Sequence, residues 1–133
     1  MREEIRELCK LDKEIYKCIS KEIDSDKVVL TSKSDIHIVE HHPEAYKDVL
    51  IELKETIIHP DYIFKDDKHA DTGLVVREIL GSFEKKEHTF IVLKICTDSE
   101  GGKLANSIIS GWKISEKRLQ SYIRNKEILY RNK

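Results

Sequence analysis

The chain has no apolar run near the ~20 residues that a membrane helix needs. Its first residues, MREEIRELCK, carry acids where a secretory signal needs a long apolar core. Both lacks point to synthesis in the cytoplasm and to no membrane partner. Cysteine is scarce: Cys9, Cys18 and Cys96 are odd in number and lie outside any CxxC pattern, which fits reduced, mostly buried thiols. HExxH is absent and no GxSxG turn occurs, so neither a zinc protease nor a Ser/His/Asp hydrolase is indicated. "EGGK" lacks the strand-loop spacing of a glycine-rich phosphate loop and reads as a turn. There is no internal repeat, low-complexity segment or linker.

What is present describes a single globular core. A length of 133 residues supports one compact domain spanning 1–133. Hydrophobic residues at 39% beside charged residues at 37% give a folded interior under a heavily charged surface. The net charge of −1 hides an asymmetry. From Lys113 onward, Lys113, Lys117, Arg118, Arg124, Lys126, Arg131 and Lys133 face only Glu116 and Glu127, so this end is +5 and the rest −6. A basic end on an acidic body is either a polyanion-facing surface or a solvated tail.

The hydrophobic period changes once along the chain. "LDKEIYKCISKEI" sets Ile15, Tyr16, Ile19 and Ile23 on one helical face after Asp12 as N-cap. "DKVVLT" reads as a short strand, and Ser34 or Asp35 caps a brief helix through His41. Pro43 favours a corner at His42 and the start of a second helix over about 43–58, with Tyr46, Val49, Leu50, Leu53 and Ile57 at helical spacing. The second proline, Pro60, stops it. Beyond Pro60 the period is two: "DYIF", "GLVVREIL", "HTFIVLKICT" and "NSIISGW" read as four strands. "ISEKRLQSYIRN" closes as a short helix capped by Ser115. The expected architecture is α+β: N-terminal helices followed by a four-stranded antiparallel sheet, with a short C-terminal helix, the helices covering one face.

"HIVEHHPE" before an amphipathic helix, then "HPDYIFKDDKHADT", the strand "FIVLK" and "NSIISGWKISEKRL", in that order, resemble the phage-associated nucleases of the barnase, EndoU, colicin and RelE-like group (PBECR). The resemblance covers roughly residues 28–131 and leaves 1–27 as an N-terminal helical extension. It implies a metal-independent, barnase/RelE-like ribonuclease fold with the active site on an exposed sheet face and no cofactor. It also implies RNA as substrate and, because such domains look like toxin effectors, a neutralising immunity or antitoxin protein as partner.

Cleavage of RNA without a metal needs a base for the 2′-hydroxyl proton, an acid for the leaving 5′-oxygen, and donors for the charged phosphorane. Histidine suits the first two roles. His42 matches the family's histidine before proline, with His41 standing where related sequences more often have arginine. His37 matches an earlier family histidine and lies one turn before His41. A metal held by His37 and His41 has no nearby cysteine or HExxH to complete it, and the expected metal set is none. In "FIVLKICT" alternation sets Ile91, Leu93 and Ile95 toward the helices and Phe90, Val92 and Lys94 on the other side. Lys94 matches a strand lysine of the family and is a candidate phosphate-binding cation; its alternative is a cross-strand partner for an acid such as Glu78. Arg77, alternating with Val75 and Ile79, is placed as a second phosphate clamp on the same face, or as a surface charge.

Ser110 stands where the family usually has threonine and is a catalytic hydroxyl in this reading. Alternation places it with Ile108 and Trp112, and places Ser107 on the opposite side with Ile109. Trp112 offers a ring for a base to stack on, or a packing residue. Lys65 and His69, in the charged loop after "DYIF", and Ser107 complete the candidate substrate contacts. His59 and His88 read as solvated. Two further functions share these residues: an inactive RNA- or protein-binding module of the same fold, and a structural protein of a phage-like element.

Overall fold

The computed structural model describes residues 5–20, 23, 25–31, 46–69, 71–78, 87–95 and 106–132. In chain order these residues form β1 (Ile5–Lys10), α1 (Lys13–Tyr16), β2 (Lys27–Thr31), α2 (Tyr46–Ile58), β3 (Tyr62–Lys65), β4 (Thr72–Arg77), β5 (Glu87–Lys94), β6 (Asn106–Ser115), α3 (Glu116–Asn125) and β7 (Ile128–Arg131). The strands make one seven-stranded sheet in the order β1-β2-β6-β5-β4-β3-β7. Every described pair is antiparallel except β2 with β6, which is parallel.

This corrects the expected helices followed by a four-stranded sheet. The four predicted strands are present as β3 to β6, paired as a meander. The chain's first described element is however a strand, and β1, β2 and β7 widen the sheet to seven, with β2 making it mixed. Residues 1–27 are therefore not a helical extension, since β1 pairs with β2 inside the same sheet. Among the described residues both missed strands, β1 and β7, lie at the edges of the sheet. Charges such as Glu7, Lys10 and Arg131 are what an edge strand tolerates, and a register shift between Glu7 and Cys9 breaks the period. The corner at Pro43 and the brief helix before it lie outside the described residues.

The predicted first helix is capped by Asp12, whose carboxylate accepts from the Glu14 amide, but it lasts only one turn. Tyr16 is buried and its hydroxyl donates to the Ile57 carbonyl in the last turn of α2 at 2.8 Å. Ile19, beyond the turn, packs where a β-carbon on Gly73 would come within 2.3 Å of its Cδ1. Those two contacts hold the chain against the sheet instead of continuing the helix, and a one-turn helix has little stability of its own to oppose them.

The sheet is covered on both faces, so β5 reads as the near-continuous apolar run FIVL. On one face Ile63, Val75, Ile91, Leu93 and Ile108 pack with Leu53 and Ile57 of α2 and with Tyr16. On the other, Tyr62, Phe64, Leu74, Val76, Phe90 and Ile114 pack with Leu119, Tyr122 and Ile123 of α3. α3 starts as its sequence predicts, with the Ser115 hydroxyl accepting from the Arg118 amide. At Gly111 a β-carbon would meet Leu53 Cδ2 at 2.9 Å, so glycine lets α2 approach β6 closely. Among the described residues no helix is long and apolar enough to cross a membrane.

Candidate active site

Lys94 ends β5 with its side chain exposed. Leu93 and Ile95 pack under α2, so alternation sends Lys94 to the face that carries α3. It stands directly between Thr72 of β4 and Ser107 of β6. Paired positions of this kind hold their β-carbons about 4.5–5.5 Å apart, close enough for one phosphate group to meet an amine and a neighbouring hydroxyl.

A bulge brings a second hydroxyl to the same side. Leu93 pairs with Ile108 and Val92 with Ser110, leaving Ile109 as the extra residue. Ile108 packs on the α2 face and Val92 on the α3 face. Ser107 and Ser110 therefore share the α3 face with Lys94, and Ile108 lies opposite, which corrects the strict alternation expected from the sequence. Trp112 pairs with Phe90, so its position belongs to the same row.

Arg77 is separated from this row. It pairs with Thr89, which pairs with Lys113, and all three sit under α2. There Arg77 Nη1 lies 3.9 Å from Glu55, while Lys113 Nζ and Thr89 Oγ1 lie 3.2 and 3.4 Å from Glu52. From Thr89 to Lys94 is five residues, about 17 Å of extended chain. Across that span and on opposite faces, Arg77 and Lys94 do not meet one phosphate. Within-strand alternation was right for each residue; the phase between strands was not readable from either.

Lys65 and His69 gather at the Lys94 end of the sheet, but Lys65 pairs with Gly73 and alternates with Ile63, so it lies on the α2 face, opposite Lys94. With Asp66, Lys68, Thr72 and Glu127 they line an open cleft of about 470 Å³ floored partly by Ile19 and Leu129. The Asp66 carboxylate accepts from the Lys68 amide at 2.9 Å and contacts His69 Nδ1 at 3.1 Å. Burial pushes the Asp66 carboxyl up, but those hydrogen bonds outweigh it and leave the group below its ordinary value. Asp71 closes the turn with φ of 55°, a left-handed conformation that aspartate adopts more readily than most residues, and its carbonyl accepts from the Ile95 amide.

His37, His41 and His42 lie outside the described residues. A histidine that the sequence reading assigned to solvent is instead buried: His88 is 2% exposed and its Nε2 contacts the Glu116 carboxylate at the start of α3. The signal was its period-two spacing from Phe90 on the α3 face. Burial raises the thiols of Cys9 and Cys18 to about 11, which leaves them protonated and inert as nucleophiles. Among the described residues no group of three or more His, Cys, Asp or Glu side chains is placed to hold a metal ion.

No curated protein and no solved structure matches the chain significantly. A family model does match, over residues 3–131, so the similarity begins before β1 and takes in all seven described strands. The chain belongs to the phage-Barnase-EndoU-ColicinE5/D-RelE like nuclease2 family, and is thus a member of a phage-associated nuclease family.

Proposed function

We propose that the chain is a metal-independent endoribonuclease that uses the RNA's own 2′-hydroxyl as nucleophile. A base removes the 2′-hydroxyl proton, the 2′-oxygen bonds to phosphorus, and the P–O5′ bond breaks as an acid protonates the departing 5′-oxygen. The products are a 2′,3′-cyclic phosphate and a 5′-hydroxyl. In this reading His42 and His37 supply the acid/base groups. Lys94 binds a non-bridging oxygen as charge builds on it, and Ser110 and Ser107 donate to the same phosphate or to the 2′-hydroxyl. Lys65 and His69, in the cleft at the same end of the sheet, meet the neighbouring nucleotide. Arg77 is left beside Glu55 under α2.

The observation that carries this reading is the placement of Lys94. It is an exposed strand cation with serine hydroxyls brought to its side by a bulge, in a member of a nuclease family. A bulge beside an active site commonly serves to re-aim side chains in this way. The test is incubation of purified protein with mixed RNA in EDTA, beside His42→Ala and Lys94→Ala. Fragments ending in 2′,3′-cyclic phosphate, lost in both folded variants, are expected. No cleavage by folded wild type, or full cleavage by both variants, overturns it.

A further inference from the structure

Among the described residues the two strand cations under α2 have carboxylates beside them: Arg77 has Glu55 and Lys113 has Glu52. Lys117, Arg118 and Arg124 of α3 are exposed, and among the described residues none of them forms an ion pair. The sole acid of α3, Glu116, is already engaged by His88 and by the Gln120 amide. Two more cations extend the surface: Lys126 Nζ lies 5.3 Å from the Tyr122 ring centroid and the Arg131 guanidinium 5.5 Å from that of Tyr62. In a chain with more acids than bases, five cations that form no ion pair among the described residues concentrate positive charge on one surface.

The position of α3 connects that potential to the candidate site. Its apolar side packs on Phe90 and Val92 of β5, the strand that ends in Lys94, and Val92 is the cross-strand partner of Ser110. The helix thus lies across the same sheet face as Lys94, Ser107 and Ser110. Lys117 and Arg124, seven residues apart, are two turns apart on one side of the helix, about 10.5 Å along its axis.

We propose that the outer face of α3, through Lys117, Arg118 and Arg124, is a phosphate track that holds the backbone of single-stranded RNA outside the cleavage site. The inference rests on the ribonuclease reading for the identity of the polyanion. The track binds charge without reading sequence, so it contributes to affinity and leaves the chemical step alone.

The test uses the triple variant Lys117→Gln, Arg118→Gln, Arg124→Gln, in which glutamine preserves helix propensity at exposed sites. Affinity for a short 2′-O-methyl single strand, which lacks the nucleophilic hydroxyl, is measured across a salt series. Three lost phosphate contacts at about 0.7 each predict a slope of log affinity against log salt shallower by about 2. On natural RNA, KM rises and kcat is unchanged. An unchanged slope and affinity, or a wild type that does not bind the oligonucleotide in a salt-dependent way, overturns the track; retained RNA binding with lost capture of an acidic protein assigns the surface to that partner instead. The uncut oligonucleotide keeps this result independent of catalysis, so wild type that binds it but cleaves no RNA overturns the ribonuclease reading and not the track.

Discussion

Replacing Tyr16 by phenylalanine removes one oxygen from the interior and almost nothing else. The ring is fully buried, and its hydroxyl donates at 2.8 Å to the carbonyl of Ile57, itself fully buried in the last turn of α2. Carbonyls of a helix's last turn have no intrahelical donor, so Tyr16→Phe strands an acceptor away from water at a cost of about 1–3 kcal/mol. Burial also raises the phenol well above its ordinary pKa, so the hydroxyl is a donor throughout the working pH range. An unfolding entropy of about 2.1 cal/mol/K per residue gives roughly 0.28 kcal/mol/K for a chain of this length. The melting temperature should fall by about 4–11 °C, with the urea midpoint lowered and the m value unchanged. Because the contact lies on the α2 side of the sheet, nuclease activity measured well below the melting transition should not change. A variant as stable as wild type would refute the packing described for α1 against α2.

Gly73→Ala puts a β-carbon 2.3 Å from Ile19 Cδ1 and 3.2 Å from Ile63 Cγ2, and overpacking of this kind costs about 1–3 kcal/mol. Adding Ile19→Val, which deletes the Cδ1 methyl, should recover part of that loss in a double-mutant cycle by denaturant unfolding. The Cys9 and Cys18 thiols, raised from 9.0 to about 11, should react slowly with iodoacetamide at pH 8 in the native protein and quickly after unfolding. The same shift has a sign for stability: between pH 9 and 11 the unfolded chain has released thiol protons that the folded chain still holds. Stability should therefore decline across that window, which a pH series of urea midpoints will show.

The central strands were legible because YIF, GLVV, FIVLK and NSIISGW are short runs rich in β-branched and aromatic residues bounded by polar or glycine-containing links, and the Asp12 and Ser115 caps announce helix starts. β1 and β7 were not, because edge strands carry charge where a central strand carries apolar residues. The parallel pairing of β2 with β6 joins residues about eighty positions apart, and no local pattern encodes it. The face positions of the candidate residues were half legible for the same reason. Lys94 sits on the face that alternation assigned, but the phase between neighbouring strands is set by turns and bulges. One extra residue at Ile109 put Ser107 and Ser110 on the same side as Lys94, and the pairing of Arg77 with Thr89 took the arginine to the face under α2. His88 looked solvated because histidine is polar; its partner Glu116 is 28 residues away and became visible only with the fold.

The measurement that tests the account most directly is the rate of RNA cleavage in EDTA by Lys94→Met and Arg77→Ala beside wild type, with the fragment ends identified. The account predicts 2′,3′-cyclic phosphate ends, a loss of about 10²-fold or more for Lys94→Met as for removal of one transition-state donor, and near wild-type cleavage for Arg77→Ala. Cleavage by Lys94→Met at the wild-type rate, or an equal loss in the two variants, would contradict the placement of the site on the α3 face around Lys94.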